Sequence, residues 1–447
     1  MLIEPQTHSY RTAREIIRDL HSRGFEAVFA GGCVRDLITG EKPKDYDIAT
    51  NASPEEIQEI FPRTKPVGAK FGVVLVLKEG KAFEVATFRT EDGYTDGRHP
   101  ENVNFTDLEQ DARRRDFTIN GMYWDPVAQE LIDLIGGRED LKKGILRAIG
   151  KAEERFREDH LRIIRAVRFA GRLDLNIETE TRAALGKLSD LVTEVSAERL
   201  RDELKIILTD KNPARSLRLM DQLGMLTEIF PELRDTKGCE QPENYHPEGD
   251  VFIHTLLTVQ KLGPHPSFEL AMAALLHDIG KPAASREKPK HFPEHERIGE
   301  EIAQNVCRRL KLSKNETANI TWLVKRHMYF NNADKMKDST LKKLFAEPLF
   351  DDLCEIVRAD AMASWKCLDH LNYVLKKKRE FSEEEIEPEP LVDGHDLIEM
   401  GYEPGPAFGE ILGQIREQQL EGELDSREEA LQETRKIADR LGAARTQ

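Results

Sequence analysis

Gly31-Gly32-Cys33-Val34-Arg35-Asp36, followed by Lys44-Asp45-Tyr46-Asp47-Ile48-Ala49, is the stretch on which the fold of the first third of the chain turns. The apolar run Glu26 to Ala30 leads into the glycine pair and reads as a buried strand, and the residues after the pair read as a helix start with Arg35 on its first turn. Strand, glycines and helix together let bare backbone amides approach a phosphate chain, with a guanidinium beside them to clamp it. Asp45 and Asp47, two apart on a strand predicted over Asp45 to Ala49, project from one face. Their repulsion is offset when a divalent cation sits between them. A third carboxylate, Glu84, falls inside the apolar strand pattern Ala82 to Phe88, where a charge requires a partner. The three make a site for two magnesium ions, which would activate an attacking hydroxyl and stabilise a leaving pyrophosphate. Two aspartates alone read as readily as a solvated turn; Gly32 and Arg35 upstream turn the balance toward the site.

Working outward, Thr12 to Gly24 has apolar residues at helical spacing, a second helix follows the Ser53-Pro54-Glu55-Glu56 start signal, and Val73 to Leu77 reads as another strand. This makes residues 1–150 an α/β head. From Lys151 strand patterns give way to amphipathic helices over Glu158 to Arg172, Glu178 to Leu188, Ala197 to Leu208 and Pro213 to Leu223, an all-helical neck and body over 151–235. Asp235 to Pro247 lacks periodicity and reads as a linker. A histidine-bearing helical domain spans 245–381, the acidic stretch Ser382 to Pro390 reads as a solvated spacer, and 391–447 is a C-terminal helical region. The fold class is α+β.

Composition bounds the functions. The 447 residues are 39% hydrophobic and 33% charged, a globular mix with ample chain for a core. A net charge of −16 argues against non-specific coating of nucleic acid, yet Lys142 to Arg172 carries ten Lys or Arg against four Asp or Glu, a basic segment in an acidic protein. The longest aliphatic runs, Val73 to Leu77 and Ala271 to Leu276, fall far short of the roughly 18 residues that span a bilayer. The N-terminus does not read as a signal peptide, so the expected location is cytoplasmic, without a membrane partner. Five scattered cysteines with no CxxC pair read as reduced packing residues.

The head resembles the nucleotidyltransferase superfamily related to DNA polymerase β, and within it the bacterial class II tRNA nucleotidyltransferases and poly(A) polymerases. The resemblance is carried by residues 31–36, 44–49, 114–121, 133–141 and 158–172, in order over about the first 235 residues. It implies a polymerase-β-like head in which Gly32 and Arg35 bind nucleotide and Asp45 and Asp47 hold metal. Its substrates would be ATP, CTP and a tRNA 3′ end, gripped by the basic segment and helical body through shape and backbone. It implies no oligomeric state.

Asp159, Arg162, Arg165 and Arg168 recur every three residues and are predicted to form a stripe along one helix. Cytosine and adenine share an exocyclic amine beside an unprotonated ring nitrogen, a polarity that uracil and guanine reverse. A carboxylate paired with a guanidinium matches the first two and leaves unpaired groups opposite the others. By resemblance, Asp159 and Arg162 read the base edge, Arg165 and Arg168 contact nucleotide or phosphate, and Arg115 reaches in from the head. Asp116 and Asn120 either structure this pocket or contact ligand. Gly93 to Pro100 reads as a mobile loop, which in the family accompanies addition of the terminal A. Pro66 to Gly72 looks more like the CCA-adding pattern than its arginine-rich counterpart in poly(A) polymerases.

In the second half, His254, His277-Asp278 and Asp360 resemble the ligand set of the HD phosphohydrolase domain, with Lys281 where that motif often has a phosphate-contacting lysine and His295 and His327 as accessory ligands of two-metal members. A transition metal (Mn, Ni, Fe or Co) is implied there, and the set admits either hydrolysis or a metal-holding scaffold. The expected activity is magnesium-dependent addition of CMP and AMP to a tRNA 3′ end. The alternatives are poly(A) or A-only addition, or an HD phosphohydrolase with an RNA-binding head.

Overall fold

Strands drawn from widely separated segments build the head's sheet. They are β1 (Ala27–Ala30), β2 (Ile48–Thr50), β3 (Thr64–Pro66), β4 (Val73–Lys78), β5 (Lys81–Thr87), β6 (Arg89–Tyr94), β7 (Pro100–Phe105), β8 (Tyr123–Asp125) and β9 (Glu130–Ile132). Seven of them lie in the order β3-β4-β5-β2-β1-β8-β9, while β6 and β7 form a hairpin of their own. β2 runs parallel to β5 and the other neighbours are antiparallel. The computed structural model describes residues 5–66, 72–94, 97, 100–243, 246–286, 290–364 and 367–444. They fall into two units, Met1–Arg234 and Asp235–Gln447.

One face of the sheet packs Phe29, Ile48, Val74, Val76 and Val85 against the helix His8–Ser22, which buries Ile16, Ile17 and Leu20 and is capped by Thr7. The helix Pro54–Ile60 carries the capping box of Ser53 and Glu56 expected from its start signal. The other face carries Val28, Ala30, Ala49, Phe88 and Tyr123 and packs on Leu108 and Ala112. The strand predicted over Asp45 to Ala49 begins at Ile48 instead. The carbonyl of Asp47, just ahead of the strand, accepts from Ala30 N–H at 3.0 Å. The expected loop at Gly93 to Pro100 is flanked by a paired hairpin, Arg89↔Phe105 to Tyr94↔Pro100. Thr95, Asp96, Arg98 and His99, like Val67 to Phe71 of the other segment, lie outside the described residues.

The helix predicted over Glu158 to Arg172 is two helices, Ala152–Glu158 and Leu161–Arg172. Asp159 between them is extended (φ −138°, ψ 105°), and its carboxylate accepts from Leu161 N–H at 3.1 Å. A side chain that bonds the backbone just ahead of it stops one helix and starts the next, which helical periodicity does not reveal.

In the second unit the helices Val251–Lys261, Phe268–Leu276, His295–Arg309, Lys314–Arg326 and Phe350–Ala363 surround the histidines, and Val392, Leu397, Tyr402, Ile411 and Ile415 form a separate C-terminal core. Two segments expected to be passive are not. The 235–247 linker buries Thr236, Gln241 and His246. The acidic spacer contains a capped turn of helix, Glu383–Ile386, and its Pro388 and Glu389 carbonyls accept from Arg416 and Gln419. All five cysteines are unpaired. Among the described residues no helix is long and apolar enough to cross a membrane.

Candidate functional site

The aspartate pair of the head owes its placement to the residue between. Tyr46 is 4% exposed, with its ring 5.6 Å from Tyr10 and 5.4 Å from Phe29, and with this anchor in the core Asp45 and Asp47 both stay exposed. The register Ile48↔Val85 sets Asp47 beside Glu84, which is also exposed rather than buried in its strand. Asp47 keeps accessible surface, yet enough protein surrounds it for loss of water to push its carboxyl up to about 6. The fields of Asp45 and Glu84 add to that rise and Arg115 opposes it. An all-oxygen donor set of mutually repelling charges suits a hard divalent cation such as magnesium.

Behind the carboxylates, Gly31 adopts φ 72°, which the turn reserves for glycine, and a Cβ there would also crowd Arg115 Nη1 at 3.1 Å. Arg115 donates to Asp111 Oδ2 (3.0 and 3.2 Å) and to the Tyr123 hydroxyl (3.1 Å). Burial pushes the Asp111 carboxyl up, but Arg115, Arg114 and Tyr123 outweigh it and hold the group at about 2. Arg35 is buried, donating to Asn120 Oδ1 (2.7 Å) and Asp36 Oδ1 (2.7 Å).

The arginines of the neck each have a partner. Arg165 makes two bonds to Asp116 Oδ2 (2.6 and 3.0 Å), and Arg168 faces Glu203 with Nε–Oε2 3.1 Å. Asn120 bonds Asp116 (3.0 Å), so a chain Arg35–Asn120–Asp116–Arg165 joins the head to the neck helix. The break at Asp159 separates it from Arg162. Arg162 turns to Glu158 Oε2 (2.7 Å) and to the carbonyls of Arg155 and Arg114 (3.1 Å each). Asp159 is instead held by Arg199 at 3.2 Å to each oxygen, a partner that lies too far along the chain for any local pattern to indicate. The hairpin reaches the same place: Gly97 C=O accepts from His160 N–H at 3.0 Å, and any side chain on Gly97 would strike the His160 ring.

The second unit builds its site from histidines whose ring orientation is set. Nδ1 of His277, His295 and His327 lies 2.8, 2.9 and 2.6 Å from the carbonyls of Ala274, Phe292 and Val324, each three residues back. His254 differs, its Nδ1 lying 2.7 Å from Glu248 Oε1, which also holds His246 Nδ1 at 2.9 Å. A ring that donates from Nδ1 turns a bare Nε2 inward. The inward atoms form two pairs, His254–His277 and His295–His327, each with Nε2–Nε2 3.3 Å. Asp278 stands between the pairs. Its Oδ2 lies 3.2 Å from His277 and 3.6 Å from His254, and its Oδ1 lies 3.4 Å from His295 and 3.7 Å from His327. Asp360 Oδ1 is 2.9 Å from His254 Nε2. Burial lowers the proton affinity of His327, the direction that favours the neutral ring a metal ligand needs. Lys281 is buried, at 2.6 Å from both Asp278 Oδ2 and Gln241 Oε1. A cavity of about 760 Å³ opens on this cluster, lined among others by His246, Asp278, Lys281, His295, His327 and Asp360. Four imidazoles and two carboxylates at these spacings suit one or two divalent transition metals. Among the described residues, the groups that bring three ligand atoms within 4.8 Å of one another all lie in this unit. Glu248 and His246 escaped the sequence reading because they precede the helix, in an unpatterned segment.

Known proteins resemble the chain along its length. A family model described as the poly A polymerase head domain matches residues 27–147, one described as the probable RNA and SrmB-binding site of polymerase A matches 174–236, and one described as the HD domain matches 251–365. The CCA-adding enzyme of Ligilactobacillus salivarius is 32% identical over 443 residues, covering 98% of either chain. That of Lactiplantibacillus plantarum is 43% identical over 228 residues, 51% of this chain and 54% of its own. Among solved structures, the Bacillus stearothermophilus CCA-adding enzyme in complex with CTP superposes with a TM-score of 0.74 at 29% identity, covering 97% of this chain and 100% of that one.

Proposed function

This chain belongs to the family of CCA-adding enzymes, and we propose that it carries out the family's reaction in the head and neck, with a second chemistry in its other unit. It is a tRNA nucleotidyltransferase: without a template, CMP and AMP are joined to the tRNA 3′ end. The RNA 3′ hydroxyl attacks the α-phosphate of CTP or ATP, and pyrophosphate leaves. The CCA-adding name of relatives matched over nearly the whole length favours this reading over poly(A) or A-only addition.

The observation that carries the site is the aspartate pair, held outward on either side of a buried tyrosine and beside Glu84. Asp45, Asp47 and Glu84 would hold magnesium, which when bound makes the hydroxyl a better nucleophile and neutralises the leaving pyrophosphate. The backbone at Gly31-Gly32 receives the phosphates, with Arg35 behind it. Asp159, kept in place by Arg199, accepts from the exocyclic amine of C or A, and Arg162 donates to the ring nitrogen once it leaves Glu158. The reaction belongs in the cytoplasm, where tRNA and both nucleotides are found.

A specific observation favours a second activity, hydrolysis of a phosphate ester by the histidine unit: two imidazole pairs with their inward nitrogens turned toward one shared aspartate, open to a cavity. Manganese, nickel, iron or cobalt fits this donor set, and Lys281 stands ready to meet the phosphate.

Incubating the protein and magnesium with tRNAs ending at the discriminator base, at C and at CC, with CTP and ATP singly and together, tests the first reading. Sequenced 3′ ends should grow stepwise to CCA and stop. Long A tails, or growth from the CC end alone, would overturn it.

A further inference from the structure

Phe169, on the last turn of the helix Leu161–Arg172, stands among three cations. The guanidinium carbons of Arg168, Arg165 and Arg35 lie 4.5, 5.2 and 5.3 Å from its ring centroid. The ring is 6% exposed and is fixed from behind by Phe117, edge to face at 5.9 Å. Two of the cations come from the neck helix itself; the third comes from the head, on the helix that begins at Gly32.

Three guanidinium groups within reach of one ring repel one another. Each has a polar partner of its own, Asp116 for Arg165, Glu203 for Arg168, and Asp36 with Asn120 for Arg35. The ring is what all three share. Its negative face attracts cations, its stiffness sets their spacing, and unlike a carboxylate it adds no charge that an incoming anion would have to displace. Burial lowers the proton affinity of Arg168 to about 10, against the support of Glu203, and the charge of Arg165 adds to the fall.

We propose that Phe169 is a positioning residue for nucleotide transfer, holding Arg35, Arg165 and Arg168 at the spacing that receives the polyphosphate of the incoming nucleotide. The proposal rests on the reading that these arginines contact nucleotide. Because the polyphosphate is common to CTP and ATP, Phe169 serves both steps alike and has no part in choosing the base.

Replacing Phe169 in the full-length protein by phenylalanines carrying one, two and three ring fluorines weakens the negative face in steps while nearly preserving size. KM for CTP and for ATP should rise in parallel along the series, by about 3- to 30-fold in total, with a smaller change in kcat and none in KM for tRNA. F169Y, which keeps the ring, should stay near the parent, and F169L should fall at the far end. A flat KM across the fluorinated series, or a rise confined to one nucleotide or to tRNA, overturns the proposal. R165A and R168A separate the two ideas: if they leave nucleotide KM unchanged, the arginine reading itself fails; if they raise it while the fluorinated series stays flat, only the role of Phe169 fails.

Discussion

The head and the histidine unit place their proposed cation ligands in opposite ways. In the head, Asp45, Asp47 and Glu84 are exposed, and partial loss of water, reinforced by like charge, raises the proton affinity of Asp47. In the other unit the donors are buried, their inactive nitrogens are tied to carbonyls or to Glu248, and Asp278 spans two imidazole pairs. The first arrangement is suited to a cation that arrives and departs with a nucleotide; the second is suited to one that stays. The same contrast holds for recognition groups. The arginines of the neck are occupied by Glu158, Asp116 and Glu203, so the nucleotide proposed to bind there would have to exchange partners with them, whereas the histidine cluster already faces its cavity.

The largest test of this contrast is a crossed pair of substitutions. D47A should lower nucleotide incorporation by about a thousandfold or more and leave the manganese or nickel retained after gel filtration unchanged. D278A should do the reverse, losing the retained metal while 3′-end extension proceeds at the parent rate. If either substitution abolished both readouts, the two sites would not be separate. Next comes Glu248. E248Q keeps a hydrogen-bond acceptor for His254 but removes the charge, and chelator competition should show metal affinity reduced about 10- to 100-fold. Affinity equal to the parent's would mean that the carboxylate contributes nothing beyond the carbonyls that orient the other three rings.

The smallest effect concerns stability. Asp111 is buried and held at about 2, below its ordinary 3.8. A depressed carboxyl contributes stability above the unfolded value and loses it as pH falls through the folded one, so its share, on the order of 2 kcal/mol, is complete at neutral pH and disappears between about pH 4 and pH 2. Denaturant titration of D111N should show the head destabilised at pH 7 and converging on the parent in that window, with the histidine unit's transition unmoved. A constant offset at all pH values would assign the loss to packing instead.

What could be read in advance follows the range of the interaction. The glycine turn, the alternation around Tyr46 and the capping box of Ser53 are local, and the chain displays them as spacing. The break at Asp159 was not readable, because one side-chain bond to Leu161 N–H decides it against a continuous helical pattern. Arg199, Glu203 and Glu248 were missed for a related reason: a charge's partner across a fold leaves no periodic trace. Gln241 and His246 lie where low periodicity suggests a linker, but a segment can lack repeats and still deliver buried polar groups to a site.

The strand order of the head bears on how the protein is made. β1 lies between β2, which follows it closely, and β8, which follows only at Tyr123–Asp125. On the ribosome the nascent head therefore spends much of its synthesis with one edge of β1, an interior strand of the finished sheet, unpaired and able to recruit a foreign strand. Closure comes later still, when Arg147 C=O and Ile149 N–H bond Thr118 and Asp116 across the base of the head. Chains stalled or truncated before that point should be clients for chaperones, with Asp45 and Asp47 synthesised long before the sheet that holds them can close.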